Sequence, residues 1–145
     1  MNLLIEEFIS CKRIALVGMS GNGKKFGNMV AKELSGKGYE IYPVHPVARE
    51  IDGLKCWPDL VSLEGKIDGV FIAVSPANVS PLLEQAASIG LKNIWLQQGT
   101  WSKEVGLTVN RLNLPVISDK CIMMYAPPVK SVHRFHRVIS GWFGK

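Results

Sequence analysis

Short apolar runs alternate along this chain with longer stretches in which apolar residues recur every three or four positions. Leu3, Leu4, Ile5, Phe8 and Ile9 surround Glu6 and Glu7 at helical spacing, so residues 2 to 10 read as a short amphipathic lead-in helix. Ile14 to Val17 is a continuous apolar run, as expected of a strand covered on both faces. Met29, Val30 and Leu34 then form the inward stripe of a helix that Gly36 and Gly38 end. Glu40 to Val44 is the second strand, and Pro46 stops it because proline has no N–H for a ladder. Residues 47 to 58 read as a loop with a short extended piece near Ile51, and Pro58-Asp59-Leu60 as the start of a brief helical turn. Asp68 to Val74 is the third strand, and Asn78 or Ser80 is the expected N-cap of a helix reaching Ile89, where Gly90 ends it. Asn93 to Leu96 is the fourth strand. Ser102 to Asn113 is a helix with Val105, Leu107, Val109 and Leu112 as its apolar positions, and Pro115 to Ser118 is the fifth strand. There is no internal repeat and no low-complexity segment.

Strands that alternate with helices predict right-handed βαβ units. The expected fold is therefore α/β: a doubly wound, Rossmann-like parallel sheet of five or six strands with helices on both faces. Ligands of such sheets lie beyond the carboxyl ends of the strands, near the point where the strand order reverses. Four turns then matter: Gly18 to Gly27, Val44 to Pro46, Ser75 to Asn78 and Gln97 to Gly99.

The first turn, Gly18-Met19-Ser20 with Lys24, Lys25, Phe26 and Gly27, joins a strand to a helix. Glycines let a backbone approach a ligand closely, and a helix start aims unpaired N–H groups and a positive dipole end into the same space. A phosphate ligand suits such a turn, although a tight strand-to-helix turn wants glycine with or without one. It is neither a G-x-G-x-x-G nor a Walker loop, since no G-K-[ST] closes it. The second turn discriminates between nucleotides. A nicotinamide or flavin site usually carries an acid there for the ribose hydroxyls; Tyr42-Pro43-Val44-His45-Pro46 has none. This apolar, proline-bounded end suits an adenine ring, Arg49 is placed to meet a ribose phosphate, and the plainer reading of His45 is a partly exposed loop histidine.

Length and charge narrow the choice. A chain of 145 residues, 47% hydrophobic, fits one domain, and the net charge of +5 concentrates at Lys24-Lys25 and from Lys130 to Lys145. A phosphorylated small molecule accounts for the first cluster as well as nucleic acid would. The three cysteines, Cys11, Cys56 and Cys121, suggest neither a disulfide framework nor a CxxC metal site. The N-terminal stretch carries two acids and no basic lead, and no run approaches the roughly 18 apolar residues of a membrane span, so a cytoplasmic protein is expected.

Six ordered motifs between Arg13 and Ile122, about three quarters of the chain, resemble the small stand-alone CoA-binding proteins, whose fold is that of the N-terminal domain of the succinyl-CoA synthetase α subunit. The motifs are Ile14-Ala-Leu-Val-Gly-Met-Ser20 with Gly27 and Val30-Ala-Lys-Glu-Leu34, Gly38-Tyr-Glu-Ile-Tyr-Pro-Val-His-Pro46, Ile51-Asp-Gly-Leu-Lys-Cys-Trp-Pro58, Asp68-Gly-Val-Phe-Ile-Ala-Val74, Ile94-Trp-Leu-Gln-Gln-Gly99 and Val116-Ile-Ser-Asp-Lys-Cys-Ile122. The resemblance implies that Gly18, Ser20 and the lysine-bearing turn hold the phosphates of coenzyme A. It also implies that Val44 and Pro46 flank the adenine and that Ser75, Pro76 and Asn78 line the pantetheine path. His45 stands where the family usually has asparagine, and Ser75-Pro76 replaces a more charged turn. The full candidate set is Gly18, Met19, Ser20, Lys24, Lys25, Phe26 and Gly27; Val44, His45, Pro46 and Arg49; Val74, Ser75, Pro76 and Asn78; and Gln98 and Gly99.

The catalytic phosphohistidine of the synthetases lies in a following domain that 145 residues cannot include, so no synthetase activity is carried over and no enzyme is expected. The expected role is a carrier, sensor or regulatory module for CoA or acyl-CoA. Two alternatives stay open, an NAD(P)-dependent oxidoreductase and a protein-interaction module with a vestigial pocket. Cys121 follows Asp119-Lys120, and a lysine neighbour favours a thiolate, which makes a redox or CoA-disulfide role conceivable. The plainer reading is a packing cysteine, as for Cys11 and Cys56. His133 and His136 share a helical spacing without an acidic or cysteine ligand beside them, so no metal is expected. Residues 1 to 125 form the expected binding domain. From 126 to 145, Val129, Val132, Phe135, Val138, Ile139 and Trp142 oppose Lys130, Arg134 and Arg137, which predicts a basic amphipathic helix. It is expected to dock on its own domain or on a second subunit, as in a homodimer, rather than on a membrane or nucleic acid.

Overall fold

The computed structural model describes residues 3–125; the expected C-terminal helix and its histidine pair lie outside the described residues. In chain order the elements are α1 (Leu3–Ile9), β1 (Arg13–Val17), α2 (Phe26–Gly36), β2 (Glu40–Val44), β3 (Glu50–Ile51), β4 (Leu54–Lys55), β5 (Gly69–Ile72), α3 (Val79–Ser88), β6 (Ile94–Gln97), α4 (Lys103–Leu112) and β7 (Val116–Lys120). Five strands pair in the order β2-β1-β5-β6-β7. All neighbours in this sheet are parallel. The chain winds outward to β2, then crosses β1 to enter β5, so the strand order reverses between β1 and β5. The doubly wound, Rossmann-like α/β sheet is the observed fold.

Continuous apolar strands follow from covering both faces. Ile14 and Leu16 of β1, Phe71 of β5 and Trp95 of β6 pack with Phe8 of α1 and Val30 and Leu34 of α2. The alternate residues Ala15, Val17, Val70, Ile72, Ile94 and Leu96 pack with Val79 and Leu83 of α3 and Val105 of α4. Period-2 alternation within each strand therefore feeds two cores rather than one core and solvent. Trp95 anchors the first of them: it is fully buried, meets the Phe8 ring edge-on at 5.2 Å, and donates its indole N–H to the Lys120 carbonyl at 3.1 Å. Pro43 lies within β2 without cost because β2 is an edge strand of the five.

Two expectations are corrected. The loop expected over residues 47 to 58 is more ordered than that: the extended piece near Ile51 is one arm of an antiparallel hairpin, β3 with β4, with Glu50 opposite Lys55 and Ile51 opposite Leu54. Asp52 and Gly53 link them at φ of 52° and 80°, the two positive angles that a type I′ turn requires and an Asp-Gly pair supplies. Ile51 is buried and fastens the hairpin to the α2 side of the core. Neither expected cap of α3 accepts from its first turn. Asn78 donates its side-chain amide to the Ser75 hydroxyl at 3.0 Å, and the Ser80 hydroxyl pairs with Thr108 of α4 at 2.9 Å. Other helix ends follow expectation. Ser102 caps α4 by accepting from the Val105 N–H at 3.1 Å, and Gly90 ends α3 at a φ of 73°. The brief turn near Leu60 forms at Val61–Leu63. Among the described residues no helix is long and apolar enough to cross a membrane.

Candidate functional site

The turn after β1 is shaped first by what the backbone excludes. A Cβ on Gly18, whose φ is 132°, would sit 2.4 Å from the Ala73 carbonyl oxygen, and one on Gly27 would sit 2.3 Å from the Gly18 carbonyl oxygen. Gly18 lets the exit of β1 lie against that of β5; Gly27 lets α2 start against Gly18. Both glycines have a packing reason that involves no ligand.

Side chains then close the loop. The Asn22 carbonyl accepts from the Ser20 hydroxyl at 2.6 Å and from the Lys24 N–H at 2.9 Å. Asn28, only 3% exposed in the first turn of α2, brackets Ser20. Its Oδ1 accepts from the Ser20 N–H at 2.8 Å, and its Nδ2 donates to the Ser20 carbonyl at 3.0 Å and to Asp52 Oδ2 at 3.0 Å. Lys25 stands at the N-cap of α2 with no side-chain cap hydrogen bond, so the amides of that helix start face the turn uncapped. Lys24, Lys25 and Phe26 are exposed beside it, while Met19 is buried.

Two depressions flank this helix start. One, of about 670 Å³, is lined by Met19, Lys24, Lys25, Asn28, Lys32 and Asp52 among others. The other, of about 440 Å³, lies over the exits of β5 and β6 and is lined by Phe26, Ala73, Val74, Ser75 and residues 97–100. Consecutive residues Lys25 and Phe26 line one each, so the two lie on either side of the N-terminus of α2. The structure thus brings Met19, Lys24 and Lys25 to one side and Phe26, Val74, Ser75, Gln98 and Gly99 to the other. Gly18, Ser20 and Gly27 of the expected phosphate turn line neither, nor do Val44, His45, Pro46, Arg49, Pro76 and Asn78.

His45 organises its own loop: Nδ1 accepts from the Val47 N–H at 3.1 Å and the Ala48 N–H at 2.9 Å. An asparagine carbonyl makes the same pattern in an Asx-turn. His45 also extends the edge of β2, since its N–H donates to the Trp57 carbonyl at 2.9 Å and the Trp57 N–H donates to the Pro43 carbonyl at 2.8 Å. Gln97, absent from the sequence-based set, is buried at the end of β6, where its side-chain carbonyl accepts from the Ile122 N–H at 3.3 Å.

Cys11 is buried, and burial, with Asp68 and Glu7 adding to it, pushes its thiol up to about 12; burial raises Cys56 as well. Neither is a ready thiolate. Cys121 is half-buried just past β7. Among the described residues no group of three His, Cys, Asp or Glu side chains could hold a metal ion.

Asn22, Asn28, Asp52 and Gln97 are the polar residues at this end of the sheet that the sequence reading passed over. Only Asp52 had a local signal, the Asp-Gly pair.

Several known proteins are similar to this chain. The family model of the CoA binding domain matches residues 12–127. The uncharacterized protein YneT of Bacillus subtilis is 32% identical over 111 residues, covering 77% of this chain and 82% of that protein. An ADP-forming acetate-CoA ligase of Methanocaldococcus jannaschii is 27% identical over 119 residues, covering 77% of this chain but 17% of the ligase. A solved structure of a conserved hypothetical protein from Pyrococcus furiosus superimposes with a TM-score of 0.72 at 35% identity, covering 77% of this chain and 97% of that one. The chain belongs to the CoA-binding domain family.

Proposed function

We propose that this chain binds coenzyme A or an acyl-CoA and serves as a carrier, sensor or regulatory module rather than as a catalyst. The observation that carries the reading is the start of α2, which no side chain caps, beside Lys24 and Lys25, close to where the strand order reverses and with a depression on either side. Amides and ammonium groups converge there on space suited to a diphosphate. The adenine rests against Val44 and Pro46, at a strand end without the acid that a dinucleotide ribose wants, and Arg49 serves the 3′-phosphate. The pantetheine arm follows the groove formed by Phe26, Val74, Ser75, Gln98 and Gly99. The ADP-forming ligase is about six times longer than the part this chain matches, so its reaction is not transferred.

Calorimetric titration tests the reading with CoA, dephospho-CoA and NADP⁺. CoA is expected to bind most tightly, with dephospho-CoA weakened by loss of the 3′-phosphate contact. Absence of heat from both CoA forms at about 1 mM ligand, equivalent to a binding free energy weaker than about −4 kcal/mol, removes the proposal. Tighter binding of NADP⁺ would transfer it to the dinucleotides.

A further inference from the structure

From the bonds that join the β3–β4 hairpin to the turn after β1, we infer that Asp52 is a positioning residue. It holds the Ser20 to Lys25 turn in its ligand-ready shape through Asn28. This rests on the CoA-binding reading for its consequence, but its structural core is independent of any ligand. Ser20 has both backbone polar groups satisfied by one side chain, that of Asn28. A primary amide can do this in one orientation alone, with its carbonyl on the Ser20 N–H and its NH₂ on the Ser20 carbonyl. Asp52 Oδ2 takes the second N–H of that NH₂ at 3.0 Å. A carboxylate accepts and never donates when ionised, so the reversed amide would bring the Asn28 carbonyl against two acceptors, the Ser20 carbonyl and Asp52. Asp52 therefore reinforces the orientation that closes the turn.

Asp52 can do so because its own place is rigid. It occupies the left-handed position of a two-residue hairpin turn, where Asp is tolerated and most residues are not. The adjacent Ile51 is 2% exposed and anchors the hairpin beneath it. The carboxylate also crowds the turn directly, since a Cβ added to Gly23 would lie 3.2 Å from Asp52 Oδ1. The hairpin thus bonds to Asn28, 24 residues earlier in the chain, and its carboxylate lies where a side chain at Gly23 would have to go. Without this brace the Lys24 and Lys25 ammonium groups would sample more positions before a ligand arrived, and binding would then carry the ordering cost.

Asp52→Gly and Asp52→Asn separate the carboxylate from the turn it sits in. Glycine keeps the left-handed backbone and removes the acceptor; asparagine keeps both backbone and acceptor. Amide hydrogen exchange resolved at single residues is the first measurement, on protein without ligand. In Asp52→Gly the Ser20 amide and residues 21–24 are expected to exchange about tenfold faster, as befits loss of a hydrogen bond to a charged group. The Ala73 amide, bonded to Val17 within the sheet, should be unchanged, and Asp52→Asn should restore protection at Ser20. Unchanged exchange at Ser20 overturns the inference, and so does a uniform rise that includes Ala73, which would mean a general loss of stability. CoA titration is the second measurement. Asp52→Gly is expected to raise the Kd about tenfold and Asp52→Asn to return it to within about threefold of wild type. Equal CoA affinity of Asp52→Gly and wild type, with the turn loosened, overturns the functional half. If wild-type protein binds no CoA, the binding proposal falls while the exchange data still decide whether Asp52 shapes the turn.

Discussion

The two ends of the parallel sheet use their polar groups in opposite ways. At the amino ends of β1 and β5 the side chains bond to one another and to the backbone. Asp68 accepts from the Arg13 N–H at 2.9 Å, the Lys12 N–H at 3.1 Å and the Arg13 guanidinium at 2.9 Å. The Asn93 amide donates to the Asp68 carbonyl at 3.1 Å, and the nearby Tyr39 hydroxyl donates to the Ile9 carbonyl at 2.8 Å. At the carboxyl ends, Gly18 and Gly99 turn with positive φ, Lys24 and Lys25 are exposed, and α2 begins without a cap. A sheet whose strands are parallel has one end where helices return and one where they depart. The departing end collects the helix N-termini and so a positive potential. Here the amino end spends its charges on holding strands together and the carboxyl end leaves its cations available.

The largest effect expected at either end comes from the two glycines of the carboxyl end, and it is an effect on folding. Gly27→Ala drives a methyl into the Gly18 carbonyl, and Gly18→Ala adds left-handed strain to a clash with Ala73. Each should cost about 3 kcal/mol or more in urea unfolding, because backbone atoms cannot step aside as a side-chain tip would. A cost below about 1 kcal/mol would mean that the turn re-forms with the helix shifted, and that glycine is there for the ligand alone.

The next effect falls on binding. Lys24→Ala with Lys25→Ala should weaken CoA by about 10- to 100-fold, the scale of one or two charge-assisted hydrogen bonds, while the urea midpoint stays put because both side chains are exposed. An affinity left unchanged by the double variant would favour a protein-interaction module with a vestigial pocket. It would also dissolve the contrast between the two ends, since the cations of the carboxyl end would then have no task.

The central strands β1, β5 and β6 were legible because each carries a continuous apolar run that needs no partner to be recognised. Glu40 to Val44 is expected and observed with the same bounds, while Asp68 to Val74 is observed as the shorter Gly69–Ile72, flanked by Asp68 and Ala73, whose N–H groups still donate to β1 at Arg13 and Val17. Of the β3–β4 hairpin only the extended piece near Ile51 was legible, because two-residue strands have no periodicity to read and the pairing was signalled by the Asp52-Gly53 pair alone. The capping expectation for α3 held for position, with Asn78 at the N-cap, but not for the side-chain bond, and for a related reason. Ser80 faces α4, and a tertiary partner, Thr108, took the hydroxyl that a local rule assigned to the helix start. Gly18, Ser20 and Gly27 stand out because a turn is written in neighbouring residues. Asn28 and Asp52 do not, since their meeting depends on where the hairpin packs. Nor does the sequence indicate that Lys25 and Phe26 diverge into separate depressions, which follows from the direction in which α2 leaves the sheet.

The smallest effect belongs to the amino end and sharpens the comparison by its pH dependence. Burial acts to raise the Asp68 carboxyl, but the hydrogen bonds from Arg13 and Lys12 outweigh it and hold the group below its ordinary value. A carboxylate whose folded-state pKa is depressed contributes stability above the unfolded value, near pH 4, and loses that contribution as pH falls through the lower folded value. Asp68→Asn keeps an acceptor and removes the charge. At pH 7 it should cost about 1 kcal/mol in urea unfolding, a modest figure because the pair is partly open to solvent. The wild-type and Asp68→Asn curves should converge as pH falls through the depressed folded-state value, when the carboxyl gains its proton. A gap that persists there would assign the cost to the amide's shape rather than to the charge. CoA affinity at pH 7 should be the same in both proteins, because Asp68 lies at the opposite end of β5 from Ala73 and Val74. An Asp68→Asn variant that weakened CoA would mean that the two ends communicate through β1 and β5, and that the division of labour between them is not complete.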